Sequence, residues 1–517
     1  MVETALTSLL GIDPGAGFRL ARWLFLRALG LVYVTAFVSL WVQVHGLVGE
    51  RGILPAGEFL DEVRASRGRP DPLRVPTIFW VRADDAALHL GCAAGVVLGL
   101  LLTVGVAPAL CLLLLWALYL SFAAVGRDFL SFQWDVLLLE AGFTGVLLAP
   151  WRLLPDGSAA AVPTAALVLM WWLLFRLHVQ SGLGKLQSGD RTWRDLTALC
   201  YHFLTQPLPN PVAWFAHRLP AVVHRAGTAM THLLEIAWPV LIFLGPDARI
   251  AAFAGLALLQ LLIFATGNYN FFNLLALAIC LLLLPDAAWT AALPDLVLDG
   301  LRAAGAPVPA AGGLSPGAGV PGPAHRATTW VVGGVVGLTG LAVLWRQHVP
   351  AVRLPAPIAR VLRFLRPFRT VNSYGLFRVM TTERPEIVVE GSRDGRHWEP
   401  YEFRYKPGDP SRPPAWVAPH QPRLDWQMWF AALGSWRQSR WFRAFLVRLL
   451  EGSGPVVDLL ESSPFDDPPR YVRGVLYDYR FTTPRQRSET GRWWRRERLG
   501  PYGPVLERSE VAGPTQR

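Results

Sequence analysis

The sequence is poor in charge, in lysine and in cysteine. Charged residues make up 17% of its 517 positions, against about 25% in ordinary soluble domains. Only two lysines occur, Lys185 and Lys406. Four cysteines (Cys92, Cys111, Cys200, Cys280) are too few for a disulfide scaffold, and at least three lie in apolar runs, where a thiol packs as a small hydrophobe. The eleven histidines are scattered, with neither HExxH nor CxxC spacing, so no metal site is expected. GxGxxG ahead of a helix, a Walker loop and a GxSxG elbow are all missing. That argues against the common cofactor-dependent enzymes, and no cofactor is expected.

What is present points to lipid. Hydrophobic residues reach 52%, with 22 Trp and 26 Phe, and mean hydropathy is +0.32. Such a chain collapses or inserts rather than staying disordered. A spanning helix needs roughly 20 mostly apolar residues, because hydrocarbon offers the backbone no hydrogen-bond partners. Nine stretches approach that length: Trp23–Val44, two forming a hairpin over Ala86–Val125, Phe132–Pro150, Val162–Gln180, Met230–Leu244, Ile250–Thr266, Phe271–Leu284 and Thr329–Trp345. The first is too long and aromatic for a cleaved signal peptide and is expected to be retained. The fold class read from this pattern is a multi-pass α-helical membrane bundle of about nine transmembrane helices with a C-terminal soluble α+β domain. The expected divisions are a membrane domain (1–300), a Gly/Pro/Ala-rich linker (301–327), the last transmembrane helix (328–346), a basic interfacial segment (347–369) and the soluble domain (370–517).

Charge is unevenly spread. Of the net +11, residues 350–517 carry +10. The strong arginine bias reads as composition drift, so membrane lipid rather than nucleic acid is the expected partner. Arg346, Arg353, Arg360, Arg363, Arg366 and Arg369 sit close behind the last span and, with Val361, Leu362, Phe364 and Leu365 between them, resemble an interfacial helix facing phosphate head groups. Basic residues at both ends predict two cytosolic termini, which needs an even number of spans and conflicts with nine.

Beyond Arg369 the pattern predicts a strand at 386–391 and a two-residue hairpin turn at Asp394-Gly395 with φ > 0 at both positions. A return strand at 398–405, helices at 425–433 and 438–450, and a strand at 471–482 follow. Gly333 and Gly337 make a weak GxxxG signal.

Polar groups inside apolar spans carry the most information, since each is costly unless paired or hydrated. Asp135, Glu140, Arg176, His178, His232, Glu235 and Asn270 are read as a buried polar network fixing helix register, in preference to a catalytic site. Arg176 is expected to pair with Glu140 or Asp135. Lys185 stands apart as a lone lysine at a membrane edge, a candidate base. In the soluble part, Tyr374, Trp398, Trp416, His420, Arg423, Asp425, Trp426 and Trp429 fit either a recognition groove or a tightly stapled small core. His420 with Asp425 imitates a dyad but lacks a nucleophile.

The segments RLHVQSGLGKLQSGDRTWRDLTAL, HFLTQPLPNPVAWF, VNSYGLFRVMTTERPEIVVEGSRDGRHWEPYEFRYKPGD and PPAWVAPHQPRLDWQMWFAAL resemble the lipase maturation factor family over nearly the whole chain. The resemblance implies a multi-pass membrane protein whose C-terminal domain assists folding or assembly of secreted lipases. It makes a secreted lipase-like protein the expected client, and the eight aromatic, His, Arg and Asp residues above its expected contact surface. In animal relatives the location is the endoplasmic reticulum membrane; the Arg- and Ala-rich composition suggests a bacterial inner-membrane protein here. Ser181-Gly182-Leu183-Gly184-Lys185-Leu186, followed by Trp193, also resembles the lysine-bearing segment of vitamin K-dependent γ-carboxylase. That implies an alternative, a membrane enzyme using a lipid-soluble cofactor with Lys185 as catalytic base. Transport is less expected, since no matched half-helix pairs occur.

Overall fold

The computed structural model describes residues 10, 17–154, 161–309, 323–349, 351 and 353–511. Residues 310–322 of the expected linker lie outside the described residues. In chain order the bundle is built from α1 (Arg19–Trp41), α2 (Asp85–Val104), α3 (Pro108–Val125), α4 (Gln133–Leu148), α5 (Thr164–Gln187), α6 (Ala198–Thr205), α7 (Ala221–Phe243), α8 (Pro246–Thr266), α9 (Phe272–Leu283) and α10 (Arg326–His348). Among the described residues, seven helices (α1, α2, α3, α5, α7, α8 and α10) are long and apolar enough to cross a membrane.

Two of the nine expected spans therefore differ. The stretch Phe132–Pro150 forms only the 16-residue α4; at 1.5 Å per residue that covers about 24 Å, short of a hydrocarbon core of about 30 Å. The stretch Phe271–Leu284 becomes α9, which together with Asp286–Ala292 makes a pair bent by 106°, an eighth span only if the pair crosses as one. Pro285 heads the second helix and ends the first, as proline dictates. The bend has a use: the Asp286 carboxylate accepts the backbone N–H groups of Arg19 and Leu20 at 2.9 Å each. It caps α1 from across the chain, where no local side chain does so.

Helices α1 and α2 pack at close range because Gly95 and Gly99 lie one turn apart on the face of α2 that meets α1. A Cβ on Gly95 would lie 2.4 Å from the Phe37 ring, and one on Gly99 2.8 Å from Val34. This is the small-residue packing that lets membrane helices touch. Gly337, by contrast, faces open space. In α7, Pro239 has no N–H to give the Glu235 carbonyl, and the helix widens into a π turn over Leu233–Ala237, a local irregularity common at functional sites.

The C-terminal part adds α11 (Ala356–Leu365), then β1 (Pro385–Ser392), β2 (Glu399–Phe403), α12 (Arg423–Ala432), α13 (Arg440–Leu450), β3 (Leu460–Ser462), β4 (Tyr471–Phe481) and β5 (Trp494–Glu507). The strands form one sheet in the order β3-β2-β1-β4-β5, and every pair is antiparallel. Helix α13 buries Trp441, Phe442, Phe445, Leu446, Leu449 and Leu450, the i, i+4 stripe of an amphipathic helix. The predicted two-residue turn is not present. Only Gly395 has positive φ (75°), while Asp394 Oδ1 accepts from the N–H groups of Arg396 and His397 at 2.8 Å each. An Asx-type loop thus replaces the type I′ turn. Strand β5 was not expected; as an edge strand exposed over most of its length, it lacks the alternation that marks half-buried strands.

The C-terminal part does not stand apart. One continuous apolar core runs from bundle residues such as Phe129 and Trp134 to sheet and helix residues such as Ile387, Phe403 and Phe445.

Candidate functional site

Three buried ionic clusters join the bundle to the C-terminal part. In the first, Arg423 of α12 meets Asp135 of α4 with two parallel bonds, Nη1 to Oδ2 at 3.0 Å and Nη2 to Oδ1 at 2.9 Å. The Tyr119 hydroxyl donates to Asp135 Oδ1 at 2.6 Å, and Arg423 Nη1 also reaches the Phe129 carbonyl at 2.6 Å. Arg423 and Asp135 are both fully buried. In the second, Glu140 of α4 is ion-paired with Arg176 of α5. It also accepts from Asn372 N–H at 2.8 Å, Asn372 Nδ2 at 3.1 Å and the Tyr374 hydroxyl at 2.8 Å. In the third, Arg384 pairs with Glu386 at 2.7 Å and donates to the carbonyls of Leu204, Gln206 and Pro207 at 2.7, 2.5 and 2.9 Å. Lys406 closes on the same Glu386 at 3.1 Å.

Of the two alternatives for the aromatic and charged residues, recognition groove or stapled core, this geometry places most of them in a stapled core. Arg423, Asp425, Trp426, Trp429 and Tyr374 are buried. Trp426 packs on Trp134 with ring centroids 4.6 Å apart, and the Trp429 indole donates to the Thr205 carbonyl at 2.9 Å. Asp425 accepts the N–H groups of Tyr405 and Lys406, each at 2.9 Å, so it is not aimed at His420. Trp398 stacks under Arg473 at 3.8 Å. Only Trp416 of the set is exposed. Tyr374, Arg423, Trp426 and Trp429 are the staples between bundle and C-terminal part, because burying large aromatic area there is what holds the two together.

His420 Nδ1 lies 2.9 Å from Ser39 Oγ of α1. Burial, with Arg423 and Arg404 adding repulsion, lowers its pKa from 6.5 to about 4. Between these values the unfolded chain holds the extra proton, so stability rises with pH and is lost as pH falls. The thermal midpoint of the detergent-solubilised protein is expected to drop from about pH 6.5 towards pH 4, as this linkage requires. His420→Gln is expected to flatten part of that slope; parallel curves for the two proteins would contradict the assignment.

The polar network read in the sequence is divided rather than single. Asp135 and Glu140 sit in the separate clusters above. Asn270 Oδ1 accepts the Phe272 N–H at 3.0 Å, heading α9, and His232 Nε2 lies 3.1 Å from the Trp193 carbonyl oxygen. Nor is Lys185 alone: its Nζ lies 2.8 and 2.6 Å from the two carboxylate oxygens of Glu235, which the π turn of α7 carries inward. The pair lines a cavity of about 100 Å³ together with His178, His202, Gln260 and Tyr269. His178 Nδ1 is 2.8 Å from the Leu174 carbonyl oxygen and its Nε2 is 3.1 Å from Gln260 Nε2. The Tyr269 hydroxyl donates to Gln206 Oε1 at 2.7 Å and lies 3.1 Å from His202 Nε2. Among the described residues no group of His, Cys, Asp and Glu has metal-binding geometry.

A second, larger cavity of about 540 Å³ opens where α4, the 375–381 loop and α12 meet. Its lining includes exposed Val379, Phe430 and Leu433 beside buried Trp134, Trp426 and Trp429. Leu376 and Phe377 line both cavities and form the wall between them. Phe377 adopts φ of +51°, a left-handed conformation unfavourable for a bulky residue. Phe377, Phe430 and Tyr269 fall in segments that stand out in the sequence, whereas Val379, Leu433 and Gln260 carry no such signal there; the sign of a groove was the exposed apolar side of a helix already crowded with tryptophan.

The sequence is similar to known proteins over most of its length. The family model for the lipase maturation factor transmembrane domain matches residues 20–291, and that for the lipase maturation factor C-terminal domain matches residues 370–504. Lipase maturation factor 2 of Homo sapiens is 39% identical, covering 95% of this chain and 83% of its own length. Lipase maturation factor 1 of Bos taurus is 37% identical over 96% of this chain and 90% of its own, and that of Mus musculus is 36% identical over 96% and 88%. No solved structure matches the chain significantly. Two family matches that meet across the stapled interface, and relatives aligned almost end to end, identify the chain as a member of the lipase maturation factor family.

Proposed function

We propose that this integral membrane protein assists the maturation of secreted lipase-like proteins by presenting the aromatic groove to a client that is still partly folded. The observation that carries the reading is the groove itself: about 540 Å³ of open space whose rim exposes Val379, Phe430 and Leu433. Apolar side chains kept at a surface mark a contact site, and a floor of tryptophan supplies area and rigidity for hot-spot binding. The printed names of the relatives supply the client class. The family matches ending at residue 291 and starting at 370 support the proposed division into a membrane domain, a linker with a last span, and a C-terminal domain from 370. The client side is proposed to be extracytoplasmic, at a bacterial inner membrane, with no nucleic-acid role.

The test is co-expression with a secreted lipase. Phe430→Glu with Val379→Glu, which alter only exposed positions, are expected to weaken client capture by about 2 kcal/mol on the hot-spot scale, lowering recovered lipase activity while this protein's abundance is unchanged. Full lipase activity with the double variant would sink the groove assignment. Trp416→Ala, away from the groove, serves as the matched surface control.

A further inference from the structure

The cavity around Lys185 is not needed by the client groove, and its chemistry defines a ligand. We propose that it is a binding site for an uncharged amphiphile, a molecule with a hydroxyl or carbonyl head and an apolar tail, that enters sideways from the bilayer.

Charge comes first. Lys185 and Glu235 are almost wholly buried and face each other at 2.8 and 2.6 Å, so the site is neutral as it stands. An anionic head would be pressed against the Glu235 carboxylate and a cationic one against the Lys185 ammonium. Neither would recover its lost hydration in these apolar surroundings. A neutral head meets no such penalty. It also finds partners: an ammonium has three N–H donors, of which two serve Glu235. The remaining side of Nζ lies 5.1 Å from the centre of the Trp193 ring, and a ligand oxygen is a better acceptor than that ring face. Glu235, accepting from Lys185 alone among the described contacts, retains lone pairs for a ligand hydroxyl.

The walls are held ready. Gln260 is fixed by Asn273, whose Nδ2 donates to its Oε1 at 2.8 Å, and it holds His178 in turn. The rest of the lining is apolar, with Leu177, Leu259 and Phe272 among it, the usual balance of a small-molecule site. A cavity of about 100 Å³ takes a head and its first carbons, and leaves a longer tail outside. The half-buried lining residues Leu199, Thr231 and Ile263 lie on α6, α7 and α8. The outer faces of α7 and α8 expose Met230, Leu233, Leu258 and Leu262, so the tail at that rim meets hydrocarbon.

The experiment uses the full chain in phosphatidylcholine nanodiscs with three diazirine photoprobes that share one alkyl chain and carry a hydroxyl, a carboxylate or a trimethylammonium head. The hydroxyl probe is expected to label peptides within residues 177–203 and 259–272 about tenfold more than the other two. Thr231→Trp, which fills the rim, is expected to abolish that labelling. Glu235→Gln should turn the preference towards the carboxylate probe, and Lys185→Met towards the ammonium probe. If either charge variant fails to fold, the rim variant and the order of the three heads still decide. Equal labelling by all three heads, or labelling unchanged by Thr231→Trp, overturns the proposal. Because the readout is covalent labelling, the outcome is independent of whether a lipase is the client.

Discussion

Arg423→Met is expected to destabilise the protein by about 3–5 kcal/mol, the scale set by removing one partner of a buried ion pair. The reason is the charge left behind. Asp135 is fully buried in α4 and would keep only the Tyr119 hydroxyl at 2.6 Å and the N–H of Phe132 at 3.3 Å. The Phe129 carbonyl would lose its donor as well. The damage should be local to the join between bundle and sheet. Limited proteolysis would therefore release a C-terminal fragment at temperatures where the parent protein stays whole. Arg423→Met combined with Asp135→Leu should recover much of the loss, since an apolar pair of similar volume replaces two charges that no longer need each other. A double variant as unstable as the single one would show that the pair carries more than its own charge balance.

Glu140→Ala is the second change expected to have a large effect. The carboxylate serves Arg176, the backbone and side chain of Asn372, and the Tyr374 hydroxyl. Its loss leaves Arg176 without its counter-ion, holding only the Asn372 carbonyl at 2.9 Å among the described contacts, and strands the Asn372 N–H and the Tyr374 hydroxyl, while Asn372 Nδ2 keeps the carbonyls of Val136 and Arg369. Each unsatisfied buried group costs about 1–3 kcal/mol, so the protein is expected to accumulate poorly in the membrane. Glu140→Gln keeps one acceptor oxygen and should fall between the two. Exposed pairs provide the contrast: Arg485→Ala breaks a bridge to Glu489 on the surface, where solvent already screens the interaction, and should leave the melting curve where it was. Equal effects of Glu140→Ala and Arg485→Ala would show that the 372–374 segment is not anchored through this carboxylate.

Much of the helical architecture was legible because hydrocarbon enforces it. Stretches such as Ala86–Val125 and Ile250–Thr266 are so long and apolar that few other structures would satisfy their backbones. The elements misread were those where length and burial diverge. The 133–148 stretch is apolar enough to span but too short, and it serves as an inner helix carrying Asp135 and Glu140. The 272–292 stretch is broken by Pro285, whose effect on the path depends on what Asp286 caps. In the C-terminal part, strands with a buried face announced themselves, whereas β5 (Trp494–Glu507) looks like a run of arginines because most of it meets solvent.

The chemistry was legible in kind but not in pairing. The cost of polar groups in apolar spans singled out Asp135, Glu140, Arg176, Lys185 and Glu235, and the composition announced a protein of the membrane with an aromatic C-terminal region. That much follows from transfer energies, which depend on residue type alone. Which acid meets which base is decided by packing across separations such as the 288 residues between Asp135 and Arg423, and no local pattern encodes it. The same holds for the aromatic residues around Trp426. Sequence marked them as a cluster, but only the docking of α12 against α4 turned them inward as staples and left Val379, Phe430 and Leu433 at the rim. The physical reason is that burial is a property of the assembled surface, settled only when both partners are in place.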